Sequence, residues 1–148
     1  MRDAFGGLVN LVIIVVFMVI VSGYLAFNVS YTKAFKVKNK IISTFEQYEG
    51  NPDNAECMNV IVSYMKSVGY DTSNTPTMPS SAECDMSHSK CTNGFCYCRI
   101  NEGSSDVFHY KIVTQITLDI PIINKAMAGM NTFQVTGDTK TIRTKEWK

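Results

Sequence analysis

The chain has 148 residues, of which 45% are hydrophobic and 18% charged, with a formal net charge of +1. This balance excludes a disordered chain, a collagen-like repeat and a polybasic nucleic-acid binder, so no nucleic acid is expected as a partner. With the first ~50 residues set aside, about 98 remain, enough for one modest core and too few for separate cofactor and substrate domains.

Residues 1–7 form a short N-terminal flank. Residues 8–27 read LVNLVIIVVFMVIVSGYLAF, an uncharged stretch broken only by Asn10, Ser22 and Gly23. At about 1.5 Å per residue it reaches roughly 30 Å, the thickness of a bilayer's hydrocarbon core. A cleavable signal peptide has a shorter apolar region and a small-residue cleavage site, which this segment lacks. The segment therefore predicts a retained transmembrane helix. Asn10 and Ser22 offer hydrogen bonds to a neighbouring helix, and Gly23 permits close approach.

No proline or glycine falls between Asn28 and Tyr48, so one helix is predicted from 8 to 48. Its amphipathic extension, residues 28–50, carries Tyr31, Ala34, Phe35, Ile41, Ile42, Phe45 and Tyr48 at helical spacing, which predicts one face against a soluble domain. Gly50, Asn51 and Pro52 end it. The domain proper is residues 51–148. A second helix starts at Asp53 or Asn54 as cap, shows Cys57, Val60, Ile61, Tyr64, Met65 and Val68 on one face, and closes at Gly69. Residues 71–81, rich in Ser, Thr, Asn and Pro, read as a loop.

The period then changes. From Phe108 to Ile120 apolar residues and Thr114 alternate with mostly polar ones, which predicts a strand with one buried face, stopped by Pro121. Thr132 to Arg143 gives a second long strand with Phe133 and Val135 inward and a bulge expected at Gly137, where the alternation slips. Phe95 to Ile100 adds a shorter strand. The predicted fold class is α+β: a long N-terminal helix, a second helix, then a small antiparallel sheet of three to four strands.

Of five cysteines, Cys84, Cys91, Cys96 and Cys98 lie close together in a loop-and-strand segment. In an oxidising compartment they are candidates for two disulfides. Cys96 and Cys98 share a strand face, so each is expected to take a different upstream partner among Cys84, Cys91 and Cys57; sequence leaves the pairing open. Cys57, on an apolar helix face, reads as the odd thiol. The same four cysteines make an alternative zinc set, but their spacing is unlike that of zinc knuckles. No metal or cofactor is expected. His88 and His109 read as surface polar residues. Glu46, Glu49, Asp53 and Glu56 surround a helix end as a solvated surface. There is no phosphate loop, no nucleophile elbow and no paired-histidine helix, so no enzyme is expected. Asn28-Val29-Ser30 matches a glycosylation sequon beside the span.

Lys33, Lys36, Lys38 and Lys40 follow the span and Arg2 precedes it, which by the positive-inside rule alone places the C-terminal domain in the cytosol. The cysteine load, the sheet-rich domain and the short flank point to export. The reading adopted is a single-pass cell-membrane protein with an extracytoplasmic domain.

The order apolar helix, soluble continuation, antiparallel sheet resembles type IV pilin-like proteins, and more narrowly the TadE-type minor pseudopilins of tight-adherence pilus systems. The ending is similar too: Tyr110-Lys111-Ile112-Val113-Thr114-Gln115-Ile116-Thr117-Leu118-Asp119-Ile120-Pro121, an apolar connection Ile122–Met130, then Phe133-Gln134-Val135-Thr136-Gly137-Asp138-Thr139-Lys140-Thr141-Ile142. The family's processing glycine, followed five residues on by glutamate, is not matched: Gly6 leads to Leu11 and Gly7 to Val12, and Asn10 is the nearby polar residue. The resemblance implies a structural subunit whose partners are the lipid bilayer and other pilin-like subunits or secretion-platform membrane proteins, as oligomer or filament component. The alternative is a single-pass binding or sensor module with a cysteine zinc site.

Overall fold

The computed structural model describes residues 2–78, 84–103, 106–117 and 132–143, with side chains from Gly6 onward. Helix α1 runs unbroken over Arg2–Gln47, 46 residues, or about 69 Å at 1.5 Å per residue. The helix thus begins inside the flank read as residues 1–7. Helix α2 covers Ala55–Val68. The strands are β1 (Asp85–Thr92), β2 (Phe95–Asn101), β3 (Val107–Thr117), β4 (Thr132–Asp138) and β5 (Ile142–Arg143). They form one antiparallel meander in the order β1-β2-β3-β4, with β5 continuing alongside β3. The α+β class holds, with five strands in the sheet. The end of the predicted strand at Leu118–Ile120, Pro121, and the apolar connection Ile122–Met130 lie outside the described residues.

Both helices close with the same hydrogen bond. The amide of Gly50 donates to the Phe45 carbonyl at 2.8 Å, and that of Tyr70 to the Met65 carbonyl at 2.9 Å. This six-residue closure places a left-handed residue just before the donor. In α2 that residue is Gly69, with φ of 67°. In α1 it is Glu49, with φ of 53°, and Gly50 follows at 70°. Asn54 caps the start of α2, its side-chain oxygen accepting from the Glu56 amide at 2.8 Å.

The core lies between the helices and one sheet face. Val37, Ile41 and Phe45 of α1 and Cys57, Ile61 and Met65 of α2 pack on Phe95, Tyr97, Phe108, Tyr110 and Ile112. Phe45 sits at its centre, edge-on to Tyr97 and Tyr110 with centroids 5.4 Å from each. The buried stripe of α1 is Ala34, Val37, Ile41, Thr44 and Phe45. Tyr31 and Phe35, expected on that face, are exposed at 44% and 40%. They lie on the flank of the helix beside the buried row, where among the described residues they meet only part of the sheet edge. Val60 of α2 is likewise exposed, because the i, i+4, i+8 row Cys57, Ile61, Met65 faces the core, with Met58 and Tyr64 partly buried beside it.

Among the described residues no helix lies on the opposite sheet face. Cys96, Cys98 and Val113 are nonetheless buried there, in a region the chain reaches through Pro76, which is buried as well. Tyr70 anchors this crossing. Its hydroxyl accepts from the Gln115 amide at 2.8 Å and lies 2.9 Å from the Gly94 and Gln115 carbonyls, one of which takes its proton. Gln134 donates to the Thr77 carbonyl at 3.2 Å. Cys84 is bonded to Cys98, and Cys91 to Cys96. The disulfides fall where packing is thinnest, each adding about 2–4 kcal/mol to a small core.

The bulge expected at Gly137 lies further on. Between Phe108 and Lys111 β3 advances three residues while its partner advances four, from Ile142 to Asp138. The extra residue falls among Thr139–Thr141. Thr139 closes the gap: its amide donates to the Tyr110 carbonyl and its Oγ1 accepts from the Tyr110 amide, both at 2.9 Å. Gly137 has another cause. A Cβ there would lie 2.8 Å from Lys38 Cδ and 3.1 Å from Ile42 Cδ1, so glycine lets α1 cross β4 closely.

Candidate functional site

Two surfaces qualify. The first is the outer half of α1. Every residue from Gly6 to Ser22 is exposed, with Leu8, Leu11, Phe17, Met18 and Ile20 all above 60%. A 42-residue stretch, Gly6–Gln47, is long and apolar enough to cross a membrane, with a mean hydropathy of 2.7 in its most apolar part. Residues 8–27 hold fourteen Leu, Val, Ile and Phe side chains. At about −0.3 to −0.6 kcal/mol each in a bilayer centre, they favour insertion by roughly 4–8 kcal/mol before the polar residues are counted. In water the same surface is a severe association liability.

One side of this helix is notched. Ile14, Val15, Met18, Val19, Ser22, Gly23 and Ala26 line a groove of about 500 Å3. Ser22, Gly23 and Ala26 are small, which lowers the helix surface and lets another backbone approach. Asn10 sits one i, i+4 step before Ile14, on the same row but outside the groove. The three residues read as packing positions are thus separated: Ser22 and Gly23 lie together, Asn10 more than two turns away.

The second surface is a polar cleft of about 490 Å3 at the far end of the domain. Its walls are the α1–α2 connection, Tyr48 to Asp53, and the protruding part of β1, Ser87 to Lys90. Tyr97, Arg99, Phe108 and Tyr110 line it too. The protrusion arises because β1 advances five residues, Asp85 to Lys90, while β2 advances two, Arg99 to Tyr97. Asp85 braces it. The Ser87 amide and Oγ both donate to Asp85 Oδ1, at 3.1 and 2.6 Å. These bonds, more than the nearby His88, hold the Asp85 carboxyl below the usual carboxylate range.

An Asp, a Ser and a His so close invite comparison with a nucleophile relay. The geometry differs from one. His88 Nδ1 faces both Ser87 Oγ at 2.8 Å and Asp85 Oδ2 at 3.1 Å. A relay needs the two ring nitrogens to address serine and carboxylate separately. Here the serine proton goes to the carboxylate, and the cluster stabilises a loop. Tyr110 donates to the Gly50 carbonyl at 3.1 Å across the cleft floor, and Arg99 stacks 3.9 Å over Phe108. Glu49 and Asp53 on one wall face His88 and Lys90 on the other, with Arg99 between. Among the described residues no three His, Cys, Asp or Glu side chains converge to hold a metal.

The four clustered cysteines are joined in pairs, which leaves the alternative zinc set of Cys84, Cys91, Cys96 and Cys98 without thiolate ligands. Cys57 is a free thiol, fully buried, with burial pushing its pKa up. His88 is exposed, whereas His109 is half-buried with Nδ1 2.7 Å from Glu102 Oε1.

Strand β1 was not foreseen as such, since its side chains are mostly exposed and show no alternation. Asn93-Gly94 carries the missed signal. Both have positive φ, 50° and 83°, as the tightest hairpin turn requires. This turn sets Cys91 directly opposite Cys96.

The chain matches no family model, no curated protein and no solved structure.

Proposed function

We propose that the protein is a single-pass membrane-anchored structural subunit of pilin-like type, a minor pseudopilin of a pilus or secretion assembly, with its α+β domain extracytoplasmic. The observation that carries this reading is the continuity of α1. One helix supplies an exposed apolar half and, without a break, the stripe Ala34 to Phe45 on which the sheet is built. Anchor and domain are a single rigid spine, which suits a part whose work is to hold position between neighbours. A sensor on a flexible tether has no need of this. The notch at Ser22, Gly23 and Ala26 suits helix–helix contact within the membrane.

Two further features support export. Paired cysteines belong to oxidising compartments. Two of the four lysines after the span also have work in the fold. Lys38 is buried, its Nζ 3.5 Å from the Thr136 carbonyl and 4.4 Å over the Phe35 ring. Lys33 Nζ lies beside Gly69 at the C-terminal end of α2, where the helix dipole favours a cation. Their presence therefore has a cause other than topology.

The test is a scan of single cysteines at Ile14, Met18, Ser22 and Ala26 against Ile13, Phe17 and Ile20 on the opposite side, with oxidative cross-linking in native membranes. Cross-links confined to the notched side, together with an exported C-terminal reporter, are the expected result. A reporter in the cytosol, or no cross-link to any neighbour on either side, would refute the proposal.

A further inference from the structure

Between the exposed half of α1 and the half that carries the sheet lies a ladder of rings. Phe27, Tyr31 and Phe35 stack in turn with centroids 6.2 Å apart. Phe133 of β4 meets Phe27 edge-on at 5.8 Å. Tyr31, Phe35 and Phe133 stay 40–45% exposed, and Tyr24, one turn back, 67%. By contrast Phe45, Phe95, Tyr97, Phe108 and Tyr110 are all buried. Among the described residues the exposed rings, Phe17 of the apolar half apart, are confined to the Tyr24–Phe35 stretch of α1 and to Phe133.

We propose that this ladder, Phe27, Tyr31 and Phe133 foremost, is seated in the headgroup layer of the bilayer, so that the domain rests on the membrane by the β4 end of its sheet. The inference builds on the reading of α1 as a membrane span and adds where the domain sits. Its first ground is continuity. Residues 8–27 account for roughly 30 Å of hydrocarbon, and the headgroup layer beyond is about 5–8 Å thick, some four or five residues of helix. Phe27 and Tyr31 fall in that layer. The Phe27–Phe133 contact brings the sheet to the same height, because β4 is fixed to β3 by the pairs Ile116–Phe133 and Thr117–Thr132. The domain has no stalk that would lift it clear.

The second ground is chemistry. Amphipathic rings are the side chains favoured at the headgroup level, their apolar bodies in the boundary and any hydroxyl in water. The helix also has no carboxylate between Asp3 and Glu46, while Lys33 and Lys36 lie within the two turns after Tyr31. Lipid phosphates complement such a surface. A partner protein would have to compete with lipid for rings already placed at its boundary.

The test uses the full chain in phosphatidylcholine vesicles containing phosphatidylglycerol, with the native Trp147 replaced by Phe. Phe133→Trp reports the ladder, and Phe17→Trp, near mid-span, reports insertion. Acyl chains brominated either near the headgroup or near the chain end supply the quencher. Trp at 133 is expected to emit to the blue of the denatured protein and to be quenched more by the shallow bromines. Trp at 17 is expected to be quenched more by the deep ones. Tyr31→Trp should repeat the shallow pattern, which covers failure of the Phe133 variant to fold. Deep quenching at 17 with a water-like, unquenched emission at 133 and 31 would overturn the docking while leaving the span intact. Blue emission at both without quenching would mean that protein, either the 118–131 connection or a second copy, covers the ladder, and would overturn it equally. No quenching at 17 would remove the span and the docking together.

Discussion

Gly50 and Glu49 are adjacent left-handed residues, and the structure assigns them opposite responses to substitution. Gly50 has φ of 70°, which costs a residue with a side chain about 1–2 kcal/mol. Its Cβ would also lie 2.8 Å from Ile142 Cδ1, 3.2 Å from the Phe108 ring and 3.3 Å from the Tyr110 ring. Ile142 can turn away, but the two rings belong to the packed core, and overpacking of that kind costs about 1–3 kcal/mol. Alanine stiffens the unfolded chain, which offsets about 0.4–1 kcal/mol. Gly50→Ala should therefore destabilise the domain by about 2–4 kcal/mol. Glu49, with φ of 53°, occupies the place that Gly69 fills in α2. Glu49→Gly should relieve the same backbone cost and, after the unfolded-state term, stabilise by about 0.5–1 kcal/mol. Thermal unfolding of the full chain in detergent, followed by near-ultraviolet circular dichroism of the buried tyrosines, reads both. At about 4–8 °C per kcal/mol for a domain of this size, Gly50→Ala should lower Tm by on the order of 10–25 °C, and Glu49→Gly should raise it by a few degrees. Two shifts of the same sign, or a Gly50→Ala shift within the error of the wild type, would refute the account of this junction.

Other expectations follow from the same coordinates. Thr139→Val removes the acceptor for the buried Tyr110 amide and should cost about 1–3 kcal/mol in denaturant unfolding, whereas Thr139→Ser keeps the oxygen and should cost much less. Burial, and after it the charge of Asp53, push the Tyr97 hydroxyl up to about 12, against about 10 for a free tyrosine. The unfolded chain therefore releases this proton first. Stability should be intact below about pH 10 and fall as pH rises toward about 12; Tyr97→Phe should flatten that part of the curve, and an unchanged slope would exclude Tyr97 as its source. Alkylation should label no cysteine in the native protein, where Cys57 is buried and the other four are paired, one after denaturation without reductant, and five after reduction. Three or more labels before reduction would contradict the pairing.

Much of the architecture could be read from local pattern. The helical span, the end of α1 at Gly50, the caps of α2 and the alternation of β3 are each written in neighbouring residues, because periodicity, capping and left-handed turns are short-range effects. The two-residue turn at Asn93-Gly94 is equally local, whereas the exposed side chains of β1 carry no alternation to mark the strand it joins. Other features depend on partners distant in the chain. Which flank of the amphipathic helix is buried was decided by the sheet, so Val37 and Thr44 joined Ala34, Ile41 and Phe45 inward while Tyr31 and Phe35 stayed outside. The role of Gly137 was decided by Lys38 and Ile42, about a hundred residues earlier. The bulge moved to Thr139–Thr141, where a side chain was available to satisfy Tyr110.

Local pattern alone specifies a helix able to span a bilayer, joined without a break to a small α+β domain. Twenty apolar residues and an uninterrupted helical run need no tertiary contact to be recognised. How the cysteines pair is a matter of tertiary contact, since it depends on strand register and on a loop crossing the sheet face away from the helices. Tertiary contact also sets the exposed rings of Tyr31 and Phe133 beside the half-buried Phe27, at the level where the apolar half of α1 ends. Phe133 stands more than a hundred residues from Phe27 in sequence, and only the packing of β4 on α1 brings the two into contact.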